Sequence, residues 1–194
     1  MKTDPTRRPS RSIRAALFLA AVAAGGCHAP RTDLALRSYR DPFFPEDYRV
    51  RLADCTYRVV ADNDLLVVAC AERRLPDGTA AMQYLSVTIY WRPWPGRTFV
   101  DSAMHNAALR YVVANADGVN VYRGVGFAYL RDRDDLKAGR LDVALEAGTL
   151  RLESRSGNLV DFLGEATVSG ELRANERPAD TVRIQREVER LAAR

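Results

Sequence analysis

The sequence predicts an all-β domain, an antiparallel β-sandwich or small barrel of about seven strands with a short C-terminal helix. Three observations carry this. From Tyr48 to Leu172, apolar residues recur at every second position in one segment after another. Turn-forming stretches separate the segments, among them Ala61-Asp62-Asn63-Asp64, Leu75-Pro76-Asp77-Gly78 and Asn115-Ala116-Asp117-Gly118. After Pro178 the spacing changes, and Ile184, Val188 and Leu191 recur as they do on one face of a helix.

In the first strand, Tyr48, Val50 and Leu52 alternate with Arg49 and Arg51, and the apolar set then moves to Cys55, Tyr57 and Val59. A parity shift near Ala53-Asp54 is what a β-bulge produces. Asp and Asn in Ala61-Asp62-Asn63-Asp64 suit a tight hairpin. Leu65 to Ala71 is apolar on both parities and reads as a central buried strand. After the turn at Pro76-Asp77-Gly78, a strand places Leu85, Val87, Ile89 and Trp91 on one face and Tyr84, Ser86, Thr88 and Tyr90 on the other. Pro93-Trp94-Pro95-Gly96 ends it.

Residues 101–115 fit two readings. A helix capped by Asp101 would align Met104, Ala107, Ala108 and Tyr111, whereas β-branched Val112-Val113 before a turn favours a strand for the second half. Between Val119 and Leu130, Val121, Val125, Phe127 and Tyr129 face away from Gly124, Gly126 and Ala128. The bare glycine side predicts a bend or a closely packed second backbone. Arg131-Asp132-Arg133-Asp134-Asp135 reads as a solvated loop. Leu141, Val143 and Leu145 then alternate until parity flips at Ala147-Gly148, a second bulge with a glycine available for the left-handed residue. In the last strand Ala166, Val168, Gly170 and Leu172 face inward.

The amino terminus has a different character. Lys2, Arg7, Arg8, Arg11 and Arg14 precede an apolar run of about ten residues, too short to span a hydrocarbon core that needs about twenty. The run ends in Ala24-Gly25-Gly26-Cys27. This segment resembles the precursors of bacterial lipoproteins, whose motif is aliphatic-small-small-Cys. The resemblance implies cleavage before Cys27, diacylation of its thiol and acylation of the new amino terminus. It also implies a protein held on a membrane surface, with His28 favouring the outer membrane of the envelope, facing the periplasm. An ordinary secretory signal cut after Val22-Ala23-Ala24 is the alternative.

The expected organisation is a signal peptide at 1–26, a lipidated tether at 27–46, the β-domain at 47–175 and an amphipathic helix at 176–194. The tether holds three prolines and no sustained periodicity, and Phe43 and Phe44 are expected to dock back onto the domain.

Composition excludes several partners. Without residues 1–26 the chain keeps 24 Lys+Arg and 24 Asp+Glu, a net charge of zero. That removes the electrostatic case for nucleic acid and for a polybasic grip on anionic lipid. With Cys27 lipidated, Cys55 and Cys70 remain. If Asp62 and Asn63 form a two-residue loop, Cys55 falls opposite Cys70, within the Cα separation a disulfide accepts, and an oxidising compartment would retain the bond.

Catalytic signatures are scarce. The sequence has no Gly-x-Ser-x-Gly elbow and no phosphate- or dinucleotide-binding glycine pattern. His28 and His105 are its two histidines, and Asp101 and Ser102 near His105 read as ordinary loop residues. Asp132, Asp134 and Asp135 lack the glycine and distal glutamate of a calcium loop. No cofactor and no metal are expected. Tyr90 and Trp94 are the candidate ligand contacts, as aromatics at a strand end and in a Pro-rich loop that would stack on a sugar or an extended peptide. The sequence therefore reads as a non-enzymatic envelope lipoprotein that binds another envelope protein or a wall polymer. The alternative is a lipid or hydrophobic-ligand carrier with a cavity inside a β-barrel.

Overall fold

The last strand determines the architecture. The computed structural model describes residues 30–90 and 105–194. Among these residues nine strands run in chain order: β1 Arg31–Ser38, β2 Glu46–Leu52, β3 Asp54–Val59, β4 Leu65–Arg74, β5 Ala80–Ile89, β6 Ala107–Ala114, β7 Gly118–Leu130, β8 Arg140–Gly157 and β9 Ala166–Glu176. Strand β9 lies antiparallel to β8 along one edge. Its other edge pairs antiparallel with β1 from Ala166 to Arg173 and then parallel with β3 at Asn175 and Glu176. The chain β3-β4-β5-β6-β7-β8-β9 thus closes on itself as a seven-stranded barrel, and β1 and β2 extend the sheet from β9. Of the two architectures expected, the strands form the barrel.

Two faces of the sheet are dry. Interior side chains include Leu36, Leu52, Tyr57, Leu85, Tyr111, Tyr122, Leu141 and Leu172, each almost fully buried. On the outside, helix α2 (Pro178–Ala192) lays Ile184, Val188 and Leu191 over Leu66, Val68, Val112 and Val121. This double burial explains why β4 is apolar on both parities: Leu65, Val67 and Ala69 face the interior while Leu66, Val68 and Cys70 face the helix. Hydrogen bonds from Thr181 Oγ1 to Thr56 Oγ1 (3.0 Å) and Ser86 Oγ to Gln185 Oε1 (2.8 Å) fix the helix in place.

One mouth of the barrel is plugged by residues 158–165. Asp161 Oδ1 accepts hydrogen bonds from Tyr122 Oη (2.6 Å), Leu163 N (3.1 Å) and Gly164 N (2.9 Å), and Leu159 and Leu163 are buried. The Phe162 ring stands edge-on to Tyr48, 5.7 Å between centroids. At the other mouth a one-turn helix, α1 (Arg133–Lys137), occupies the charged stretch expected to be a loop. Asp132 caps it by accepting from Asp134 N, and Asp134 and Asp135 pair with Lys137 and Arg140.

At the first predicted bulge, Ala53, the chain instead passes from β2, paired with β1, to β3, paired with β4 and β9, so the parity shift marks a change of strand. The second bulge is present: the β8–β9 register shifts between Leu145 and Gly148. The left-handed residue at the second is Ala147 (φ 46°), however, and not the glycine beside it. The bare side of β7 meets another backbone as expected: a Cβ on Gly124 would lie 1.6 Å from Thr149 O.

Four expectations need correction or refinement. The supposed tether contains β1, which is paired on both edges and buries Thr32, Leu34, Leu36 and Ser38. Its alternation is genuine but short, and the flanking Pro30 and Pro42 disguise it. Phe43 and Phe44 do not dock; they are 85% and 75% exposed in the β1–β2 loop. The ambiguous stretch forms strand β6 from Ala107. Finally, Cys55 and Cys70 are free thiols rather than a disulfide. The hairpin loop has three residues, Ala61–Asn63, with Asn63 at φ 62°, so Cys55 pairs with Ala69 and Asp54 with Cys70. A one-residue slip reverses the face of every side chain. It leaves Cys55 inside the barrel and Cys70 under α2.

Candidate functional site: an aromatic row on the barrel wall

Tyr90 directly follows β5 and is half exposed (50%). Its main-chain N donates to Asn106 O at 2.8 Å. The Asn106 side chain in turn grips β7, its Nδ2 donating to Ala128 O (2.9 Å) and its Oδ1 accepting from Ala128 N (2.8 Å). Asn106 thus ties the start of β6 to β7 at the level of Tyr90. The register Ile89–Ala107–Gly126 continues one step to Tyr90, Asn106 and Phe127, so Tyr90 and Phe127 are two interstrand spacings apart, about 10 Å.

On β7 the alternation turns Val125, Phe127 and Tyr129 outward, because Gly124, Gly126 and Ala128 occupy the inner face where β8 crosses closely. Phe127 and Tyr129 are stacked, with centroids 6.4 Å apart, and the His105 ring lies 5.0 Å from Phe127. Tyr129 is 51% exposed. The result is a row of flat apolar faces on a rigid wall, with phenolic hydroxyls available for hydrogen bonding. Such a surface stacks on sugar rings or on an extended peptide.

The structure separates the remaining candidates. Cys27 and Trp94 lie outside the described residues, as do Asp101 and Ser102. His105 is exposed against Phe127, so its surroundings are aromatic. Cys55 is sealed in the interior: burial pushes its thiol up to about 12, and the hydrogen bond it accepts from Thr32 Oγ1 (3.3 Å) only partly opposes this. Cys70 is also raised, by burial and then by Asp54. Neither environment activates a thiolate. Among the described residues no group of three or more His, Cys, Asp or Glu converges as metal ligands would.

Sequence reasoning found Tyr90 but not Phe127 and Tyr129. Their alternation was visible; that the glycine side would be the inside of a closed barrel was not. Among the described residues no helix is long and apolar enough to cross a membrane. No family model, curated protein or solved structure matches the chain.

Proposed function

We propose that the protein is a non-enzymatic lipoprotein of the bacterial envelope. Cys27 carries its acyl chains, and its barrel binds another envelope protein or a wall polymer on the outer wall. The anchor reading rests on Ala24-Gly25-Gly26-Cys27 following a basic, short apolar leader. Two or more acyl chains hold a protein on a bilayer stably, whereas one does so only marginally.

The observation that carries the binding reading is the contrast between inside and outside. Leucines and three tyrosines fill the barrel interior, while Tyr90, Phe127 and Tyr129 form a row on its wall. A carrier would need internal room for an acyl chain. The apolar hollow between Tyr57, Val59, Leu65, Leu130 and Leu136 measures about 210 Å³ and opens to solvent at the mouth where α1 lies. Ligand pockets run to about 300–1,000 Å³; a hollow of that size, about 400 Å³, lies instead at the β1–β2 loop beside Ser38, Arg40, Phe44 and Glu46, which favours binding at the surface over carriage within.

Cell fractionation tests the anchor. Cys27→Ser should move the protein from the membrane pellet to the soluble fraction, and unchanged pelleting of that variant would refute the reading. Cosedimentation with isolated wall polymer, comparing the wild type with Tyr90→Ala/Tyr129→Ala, tests the aromatic row. Loss of sedimentation only in the variant is expected if the polymer is the ligand.

A further inference from the structure

Among the described residues strand β2 pairs with β1 along its length and has no ladder partner on its other side. The nearest element there is the end of β4, whose residues Ala71 to Arg74 pair with β5 alone, because β3 begins at Asp54 opposite Cys70. An open seam remains in an otherwise closed wall. It is bridged by a side chain: Arg73 Nε donates to the main-chain oxygen of Arg51 at 2.6 Å. In an antiparallel strand both main-chain groups of one residue point to the same edge and alternate along the chain. Since Arg51 O faces the seam, the main-chain groups of Arg49 and Asp47 face it too.

Above the bridge β4 ends at Arg74 while β2 continues to Glu46. Between them lies a hollow of about 180 Å³ lined by Tyr48, Arg49, Val50, Arg74, Leu75 and Phe162. A second hollow of about 220 Å³ lies below it, beside Arg31, Arg51 and Arg73.

Along this seam three arginines, Arg49, Arg73 and Arg74, stand outside the ion pairs of the described residues. Arg49, Arg51, Arg73 and Arg74 are all exposed. Asp33 pairs with Arg51 at 2.8 Å and Asp47 with Arg37 at 3.9 Å. Arg73 and Arg74 donate to main-chain carbonyls, and among the described residues no carboxylate lies within ion-pair distance of Arg49, Arg73 or Arg74. Glu46 on β2 and Glu72 on β4, both exposed, partly oppose them. An open strand edge is a template for another strand, and charges placed along it decide which strands are admitted. Here a basic strand is repelled and an acidic one attracted.

We propose that the seam receives an acidic, extended peptide segment of a partner protein. The segment adds a short strand to the free edge of β2 at Asp47 and Arg49 and sets its carboxylates on Arg49 and Arg74, which share the outer face. Strand addition draws affinity from main-chain hydrogen bonds and specificity from side chains, and charge complementarity selects the partner. The proposal deepens the binding reading and does not depend on the anchor, since Cys27 acylation and peptide binding are measured separately. It also does not depend on the aromatic row.

The test is fluorescence anisotropy with the full-length chain in detergent and an end-blocked peptide of alternating Glu and Thr, about ten residues long. Saturable binding that weakens with salt is expected, and the Lys-Thr counterpart should not bind. Arg49→Glu/Arg74→Glu should weaken binding at least about tenfold with an unchanged melting temperature, while Arg186→Ala, on the exposed face of α2, should leave it unchanged. The same acidic peptide N-methylated at alternate residues on its pairing edge should also bind at least about tenfold more weakly, because methylation removes the donors a strand needs. This comparison decides the matter even if the arginine variant fails to fold. Absence of acidic-peptide binding would overturn the proposal. So would equal binding of the N-methylated peptide, or displacement of the peptide by polyphosphate at equal charge, which would make the seam a general polyanion site.

Discussion

Cys55 and Cys70 lie on neighbouring strands one register step apart, with Cys55 opposite Ala69 inside the barrel and Cys70 opposite Asp54 beneath α2. Their Cβ atoms point to opposite faces of one sheet, which bars a bond between them without a change of register. Native protein should therefore resist alkylation at both positions. Denaturation should release two thiols equally with and without reductant, read by intact mass. Alkylation that requires reductant would show that the hairpin pairs in the other register.

Stability should fall in alkali. Burial raises the Cys55 thiol from 9.0 to about 12, and it also raises the phenols of Tyr111 and Tyr122 above their ordinary 10.0. A group whose proton is held more tightly in the folded state contributes stability below its unfolded pKa and loses it as pH rises towards the folded value. The window therefore opens near pH 9 with Cys55 and widens near pH 10 with the tyrosines. Urea midpoints should be flat around neutrality and decline from about pH 9 upward. A flat profile to pH 11 would contradict the burial of these groups.

Gly124→Ala should be among the most damaging small substitutions. Its Cβ would sit 1.6 Å from Thr149 O, a main-chain atom of the strand crossing the β7 bulge. The strands must part, at a cost of about 3 kcal/mol or more. Gly78→Ala meets nothing within 4 Å and strains only its φ of 85°, so it should cost about 1 kcal/mol. Comparing the two denaturation midpoints separates steric crowding from backbone preference.

The C-terminal helix should behave as part of the core. Ile184 is 2% exposed and packs on the outer face of the wall. Ile184→Ala should cost about 2–4 kcal/mol by removing buried carbons and leaving a void. Arg186→Ala, on an exposed face of the same helix, should change stability by less than about 0.5 kcal/mol. Equal effects would mean that the helix is docked on another face.

The period of each segment was legible because side-chain alternation depends on local geometry alone. That is why the alternating segments from Tyr48 to Leu172, the parity shift at Ala53 and helix α2 could be read from residues such as Val50, Leu85 and Val188, although the shift marks a change of strand and not a bulge. Closure was not legible. It depends on Asn175 and Glu176 meeting Thr56 and Tyr57, more than a hundred residues earlier in the chain. Strand β1 escaped notice because only Leu34 and Leu36 mark its apolar side between prolines. The disulfide expectation failed on a single loop residue: Asn63 takes the left-handed conformation as the third residue of the turn, and the composition Ala-Asp-Asn-Asp suits a two- or a three-residue loop equally. The aromatic row was half visible, since which side of β7 faces solvent follows from closure.

Acylation of Cys27 is the claim on which compartment, orientation and partner class all depend. Its most direct measurement is the mass of the amino-terminal peptide from protein extracted from membranes, after growth with and without an isotopically labelled fatty acid. The account predicts a peptide that begins at Cys27, carries a diacylglyceryl thioether and an acylated amine, and shifts in mass with the label. A peptide that begins elsewhere, or a Cys27 thiol that alkylates freely, would contradict it.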